Sequence, residues 1–159
     1  MKHEVSAEQY SALRFERVWV REATFVDYEG EQTPGSARDF EGVGIQIEVK
    51  VVYTEDGERA LVTLRASLEP PAKDKLFVKL SASVEGAFTV RQGTDPKLLR
   101  TFANVQAPVL LVPYLRSVIT GLTSQSRAGA IIIPPLNMVE VTKAIQAQAA
   151  KATEAPVTH

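Results

Sequence analysis

From Val43 to Tyr53, apolar and polar side chains alternate almost without interruption. Val43, Ile45, Ile47, Val49, Val51 and Tyr53 share one side of an extended backbone; Gly44, Gln46, Glu48, Lys50 and Val52 share the other. Successive side chains of a strand point to opposite faces, so this stretch is a strand with one face buried and one wet. Thr54-Glu55-Asp56-Gly57-Glu58 follows, and Asp-Gly between two alternating runs is a strong hairpin signal. The return strand carries Ala60, Val62, Leu64, Ala66 and Leu68 inward. Pro70 and Pro71 end it, because proline donates nothing to a ladder.

The flanking segments extend the pattern. Leu76, Val78, Leu80, Ala82 and Val84 repeat the alternation, and Gly86 is expected to ease a bulge before Phe88 and Val90. An earlier strand spans roughly residues 13–28. Its apolar phase slips between Phe15 and Val18 and again between Val20 and Ala23, which predicts bulges or a strong bend. Between it and the second strand lies the polar crossover EGEQTPGSARDFEG, whose one large apolar residue is Phe40. Four strands in succession without intervening helices imply an antiparallel sheet with one wet face.

The second half reads as helices. Asp95 as N-cap and Pro96 at the first helical position open a short helix through Leu98, Leu99 and Phe102. A longer helix is expected from about Pro108 to Ser124. At 100° per residue its apolar side chains, from Leu111 to Leu122, sweep about 160°, against the roughly 100° that a surface helix requires. The opposite face holds Ser117, Thr120, Thr123 and Ser124, with Arg116 its only charge. Small hydroxyls suit close helix–helix packing, so this helix is expected to be covered by its own sheet and by another subunit. The alternative is a monomer with a wide stripe and a bland surface. Pro113 would cost about 3 kcal/mol inside a regular helix, so the helix should start there or kink there. Ile131, Ile132 and Ile133 run into Pro134 and Pro135, and the run must leave any regular element at that point. Asn137 with Glu140 three residues later then caps a last helix carrying Met138, Val141 and Ile145.

These elements describe an α+β chain of one domain over 13–150. Residues 1–12 are expected to be a flexible N-terminus, and 151–159 a disordered tail. The chain has 159 residues, enough to bury roughly 68–70% of its unfolded surface. A formal net charge of -1 argues against nucleic acid or an anionic membrane as the main partner. The absence of cysteine rules out disulfides and thiolate metal sites and suits a reducing cytosol. The continuous apolar run APVLLVPYL is far shorter than the roughly 20 residues of a spanning helix, so no membrane insertion is expected and the reading is cytoplasmic.

The inventory for catalysis is thin. His3 and His159 sit near the chain ends, where no positioned base or metal ligand is expected. No His, Asp and Glu cluster has metal-ligand spacing. Glycines 42 and 44 precede a strand rather than a helix and make no phosphate loop. Neither a catalytic residue nor a cofactor is expected. What remains is apolar surface: Phe40 in a polar crossover, and the isoleucine–proline run. Together they point to an apolar groove between the crossover on one side and the proline segment with the last helix on the other.

Several segments resemble the SecB family of protein-export chaperones. VPYLRSVITGLTS, with Pro113, Tyr114 and Arg116, resembles the family's Pro-Tyr-Ala-Arg helix. IIIPPLN followed by Met138 resembles its apolar run before Asn-Phe at the last helix. EGAFTV resembles the end of its fourth strand, LRFERVWVREATF its first strand, and RDFEG its aromatic-bearing crossover. The resemblance spans about residues 13 to 145. It implies a four-stranded antiparallel sheet packed against a long helix and a C-terminal helix, assembled as a homotetramer, a dimer of dimers, with the long helices between dimers. It implies an ATP-independent holdase for unfolded polypeptides and preproteins destined for export.

On that resemblance, Phe40, Val43, Leu122, Ile133, Leu136 and Met138 would line the client groove. Tyr114, Arg116, Ser117 and Thr120 would lie at the oligomer interface. Two departures matter: the family's acidic surface and acidic tail, which dock on the translocation motor, are replaced by a net charge of -1 and the tail KATEAPVTH. The family also includes chaperones of toxin–antitoxin systems that act on an antitoxin, and that is the second expectation. An oligomeric scaffold or carrier without chaperone activity is the third.

Overall fold

The computed structural model describes residues 12–27, 45–68, 78–126, 129–133, 135–138, 140–143 and 147. Four strands form one antiparallel sheet: β1 (Leu13–Asp27), β2 (Gln46–Tyr53), β3 (Arg59–Leu68) and β4 (Val78–Val90). Their spatial order is β1-β4-β3-β2, so β1 and β2 are the edges. The β2–β3 hairpin closes on Thr54 N–H to Arg59 O at 3.0 Å and Gly57 N–H to Thr54 O at 2.9 Å. Gly57 has φ 71°, the left-handed turn geometry that the Asp-Gly signal requires.

The phase slips of β1 are bulges. Its pairing with β4 shifts register between Phe15 and Arg17 and between Val20 and Glu22. Two extra residues therefore keep Phe15, Val18, Val20 and Ala23 on one face despite their uneven spacing. The bulge expected at Gly86 is not there. Gly86 pairs in register with Val18 and Val62, and its role is room. A Cβ at this position would sit 2.8 Å from Leu111 Cδ2, 2.9 Å from Phe88 Cε2 and 3.2 Å from Phe15 Cε2.

The largest difference lies in the helices. A single helix, α1 (Pro96–Thr123), takes the place of the expected short and long helices and runs through both Pro108 and Pro113. Asp95 caps it as expected, accepting from Lys97 N–H at 2.9 Å. Two interior prolines cost about 3 kcal/mol each. Against them stand Leu99, Leu111, Leu115 and Ile119, all fully buried, each contributing roughly 1.5–3 kcal/mol. Only an unbroken helix delivers all four to the sheet. The carbonyls that the prolines leave without an N–H partner belong to Asn104 and Val109, both at exposed positions that water can reach.

The buried line of α1 is Leu99, Ala103, Ala107, Leu111, Leu115, Ile119 and Thr123, one residue in every four. At 100° per residue each step advances about 40° around the helix, so the contact line winds as α1 crosses a twisted sheet. That winding explains why the sequence showed an unusually wide stripe. By length and composition α1 passes for a membrane span, a property the nine-residue run alone did not show; in this fold it lies over β4 and β3 as the core helix. Phe88, Leu64, Val62 and Val84 meet it from the sheet.

The outer face of the sheet is polar and cross-linked. Glu85, although buried, accepts from Arg21 Nη1 at 3.1 Å and from Thr63 Oγ1 at 2.9 Å. Arg65 donates to Ser81 Oγ and to Glu22 Oε1. Glu16 accepts from Thr89 Oγ1 and lies 3.6 Å from Arg59.

Candidate functional site

The inner face of the sheet is unevenly covered. α1 sits over β4 and β3, touches β1 less and hardly reaches β2. The inner side chains of β3 are fully buried, whereas Ile45 just before β2 and Ile47, Val49, Val51 and Tyr53 along it are half-buried. Tyr53 marks where the helix does reach: its hydroxyl accepts from Asn104 Nδ2 at 3.0 Å, and Arg100 stacks over its ring. Beyond Tyr53, a row of four aliphatic side chains flanks the helix with part of its surface open.

The isoleucine segment lies along the far end of α1. Ile131 N–H donates to Thr123 Oγ1 at 2.8 Å, and Thr123 in turn donates to Ile119 O at 2.8 Å. Thr120 Oγ1 donates to Ile131 O at 3.3 Å. A non-ladder backbone can therefore lie in an apolar setting, because two threonine hydroxyls satisfy its polar groups. The hydroxyls that the sequence assigned to packing against another subunit serve their own chain at these two positions. Ile131 and Ile133 are 4% and 1% exposed and belong to the core, while Ile132 between them is 68% exposed.

The residues expected to line a groove divide accordingly. Ile133 is core. Met138 is buried, and Leu122 and Leu136 are half-buried and pack against the core. Phe40 and Val43 lie outside the described residues. Asn137 opens the last helical segment through its backbone, its carbonyl accepting from the N–H groups of Glu140 and Val141. Glu140 pairs with Lys143 at 3.4 Å.

Of the residues expected at an interface, Tyr114 is exposed and packs edge-on against Phe15 at 5.9 Å. Phe15 in turn stacks on Phe88 at 4.8 Å, and Phe88 meets Phe102 edge-on. Ser117 is exposed, and Arg116 and Thr120 are half-buried. The helix ridge opposite the buried one, Val105, Val109, Pro113, Ser117 and Gly121, is exposed throughout and carries no charge. Val105 and Val109 escaped the sequence reading. Their exposure follows from a four-residue winding that only the sheet imposes.

Among the described residues, no group of three or more His, Asp or Glu is arranged to hold a metal ion. What the described residues offer is apolar rows, exposed in part, on β2 and α1.

Comparison with known proteins gives four findings. No model of a known protein family matches the chain. An uncharacterised protein of Methanocaldococcus jannaschii is 26% identical over 129 residues, covering 80% of each chain. The protein-export protein SecB of Alcanivorax borkumensis is 22% identical over 137 residues, covering 82% of this chain and 83% of its own. Among solved structures, a Mycobacterium tuberculosis SecB-like chaperone in complex with a ChAD peptide from the HigA1 antitoxin superposes with a TM-score of 0.57 at 13% identity. The match covers 79% of this chain and 91% of that one. The sheet with its long and short helices is thus a SecB-like fold.

Proposed function

We propose that this chain, SecB-like in sequence and in fold, is a chaperone that holds extended segments of unfolded polypeptide without nucleotide or cofactor. The observation that supports this reading is the open aliphatic row of β2 beside α1, with Ile132 and half-buried Leu122 and Leu136 at the far end of the helix. In the resemblance-based scheme the client meets Ile132 rather than Ile133, since Ile133 is taken up by the core. No catalytic group is needed.

Energetics favour weak, repeated contacts. Burying one large apolar side chain contributes roughly 1.5–3 kcal/mol, and ordering a disordered segment costs about 2–5 kcal/mol. One pocket holds a client poorly; several equivalent grooves on a symmetric assembly hold it through avidity. Such an assembly is supported by the uncharged exposed ridge of α1, with Tyr114 and Ser117 on or beside it. In this reading the ridge packs against a second dimer in a cytoplasmic homotetramer.

A second reading concerns the client. The outer sheet face is not acidic: Arg14, Arg17, Arg21, Lys50, Arg59, Arg65 and Lys79 stand against Glu16, Glu22, Glu48 and Glu85. The resemblance ties motor docking to an acidic surface, so an antitoxin-type client accounts for this chain better than preprotein export does.

The test is suppression of aggregation. A chemically unfolded client diluted into buffer scatters light as it aggregates, and a stoichiometric amount of this protein without ATP delays the rise. No delay at a several-fold excess of assembled protein overturns the chaperone reading and leaves a scaffold or carrier.

A further inference from the structure

The outer face of the sheet, away from the proposed groove, carries a built feature that client holding does not use. In register across the four strands, Arg17, Ala87, Leu61 and Val52 form one row. Trp19 begins the next row, opposite Glu85, with Thr63 and Lys50 beyond it. Trp19, Leu61, Ala87 and Val52 line a trough of about 630 Å³ together with Arg17 and the Glu16–Arg59 ion pair, whose charges offset each other. Ala87 is buried at its floor and Val52 is exposed at its end. The Arg17 guanidinium lies 5.1 Å from the Trp19 ring centroid, which holds a cation at the mouth of the trough.

The charges around it are unequally engaged. Arg21, Arg59 and Arg65 are each neutralised by a glutamate. No ion pair engages Arg14, Arg17 or Lys50 among the described residues. Arg17 lines the trough at its β1 end; Arg14 stands one row to one side on β1, opposite Thr89, and Lys50 one row to the other side on β2, opposite Thr63. Four strands about 4.8 Å apart make the row roughly 14 Å long, the span of about four extended residues. From this geometry we infer that the outer face is a docking site for a short acidic polypeptide segment. Its carboxylates meet Arg14 and Arg17 at one end and Lys50 at the other, and an aliphatic side chain sits on Leu61 and Ala87 between them.

Charge sign selects against basic partners, since the whole chain is at -1 while this face carries seven cations against four carboxylates. Three cations without an ion pair among the described residues are too few to follow a phosphate backbone, which binds through about 6–10 contacts.

Trp19 is the single tryptophan of the chain, so its emission reports occupancy of the trough directly. A synthetic peptide with two leucines flanked on each side by two glutamates should shift Trp19 emission in a saturable manner. The binding should weaken about tenfold or more between low and high salt, as expected for screened contacts. The double variant Arg17→Glu with Lys50→Glu should lower affinity by at least about tenfold through like-charge repulsion, with client holding unchanged. The inference is overturned if the acidic peptide leaves Trp19 emission unaltered, or if a lysine counterpart binds equally well. A shift produced only by a single-stranded oligonucleotide or by anionic phosphatidylserine vesicles overturns it in favour of those partners. Loss of client holding in the double variant places both residues in the groove and overturns a separate site.

Discussion

Gly86→Ala tests the packing at the centre of this fold. Gly86 has no positive φ, so alanine meets no backbone strain there. Replacing glycine in a strand should by itself stabilise by about 0.4–1 kcal/mol through the unfolded chain. The space decides otherwise. The new methyl would lie 2.8 Å from Leu111 Cδ2 and 2.9 Å from Phe88 Cε2, about 0.7–1 Å inside an ordinary carbon–carbon contact. Leu111 and Phe88 are fully buried and cannot swing into solvent, and Phe15 closes the third side at 3.2 Å. Overpacking of this kind costs about 1–3 kcal/mol, so a net loss of about 0.5–2.5 kcal/mol is expected. In urea at fixed protomer concentration the midpoint should fall with an unchanged m-value.

The contact itself is isolated by a second step. Leu111→Ala alone should cost about 2–5 kcal/mol by opening a cavity, but in the Gly86→Ala background the methyl occupies part of that cavity. The double variant should then be at least about 1 kcal/mol more stable than the sum of the singles predicts. Additive losses, or a Gly86→Ala protein as stable as the parent, would refute the argument that Gly86 exists to admit α1.

Three further outcomes follow from other parts of the fold. Thr123→Val keeps the shape but removes the acceptor of the buried Ile131 N–H; a loss of about 1–3 kcal/mol is expected, read as a lowered thermal midpoint. Gly121→Arg should leave the subunit folded by circular dichroism, because a Cβ there meets nothing within 4 Å. If the α1 ridge joins two dimers, the same variant halves the mass measured by light scattering, and an unchanged mass removes that ridge from the interface. Asp56 should titrate below the ordinary aspartate range, held down first by the Thr54 hydroxyl and then by the Glu58 N–H. Its contribution to the hairpin is therefore complete above the ordinary aspartate value and is lost as pH falls through the lowered one. Thr54→Val should move the titration seen by NMR back upward.

How much was legible beforehand depends on the range of the interactions involved. Alternation from Ile45 to Leu68 reports one face against the other over a few residues, so strands, hairpin and Asp-Gly turn stood in the sequence. The slips at Phe15/Val18 and Val20/Ala23 were equally local, and both are bulges. The candidate surface was legible only in outline, as an apolar run that could not stay regular.

The sequence by itself determined the sheet, its wet face, the Asp95 cap and the start of the last helical segment at Asn137, because each is settled by side chains and backbone within one turn or one ladder step. Tertiary structure decided the rest. Whether two prolines break a helix depends on the burial waiting beyond them, and here four core side chains on the sheet outweigh both. Whether Gly86 bulges or gives room depends on Leu111 and Phe88, which arrive from elsewhere in the chain. Which isoleucine faces outward was set by two threonine hydroxyls on α1, which fix Ile131 by its backbone and leave Ile132 to solvent. No local pattern contains those partners, since the twist of the sheet brings them together.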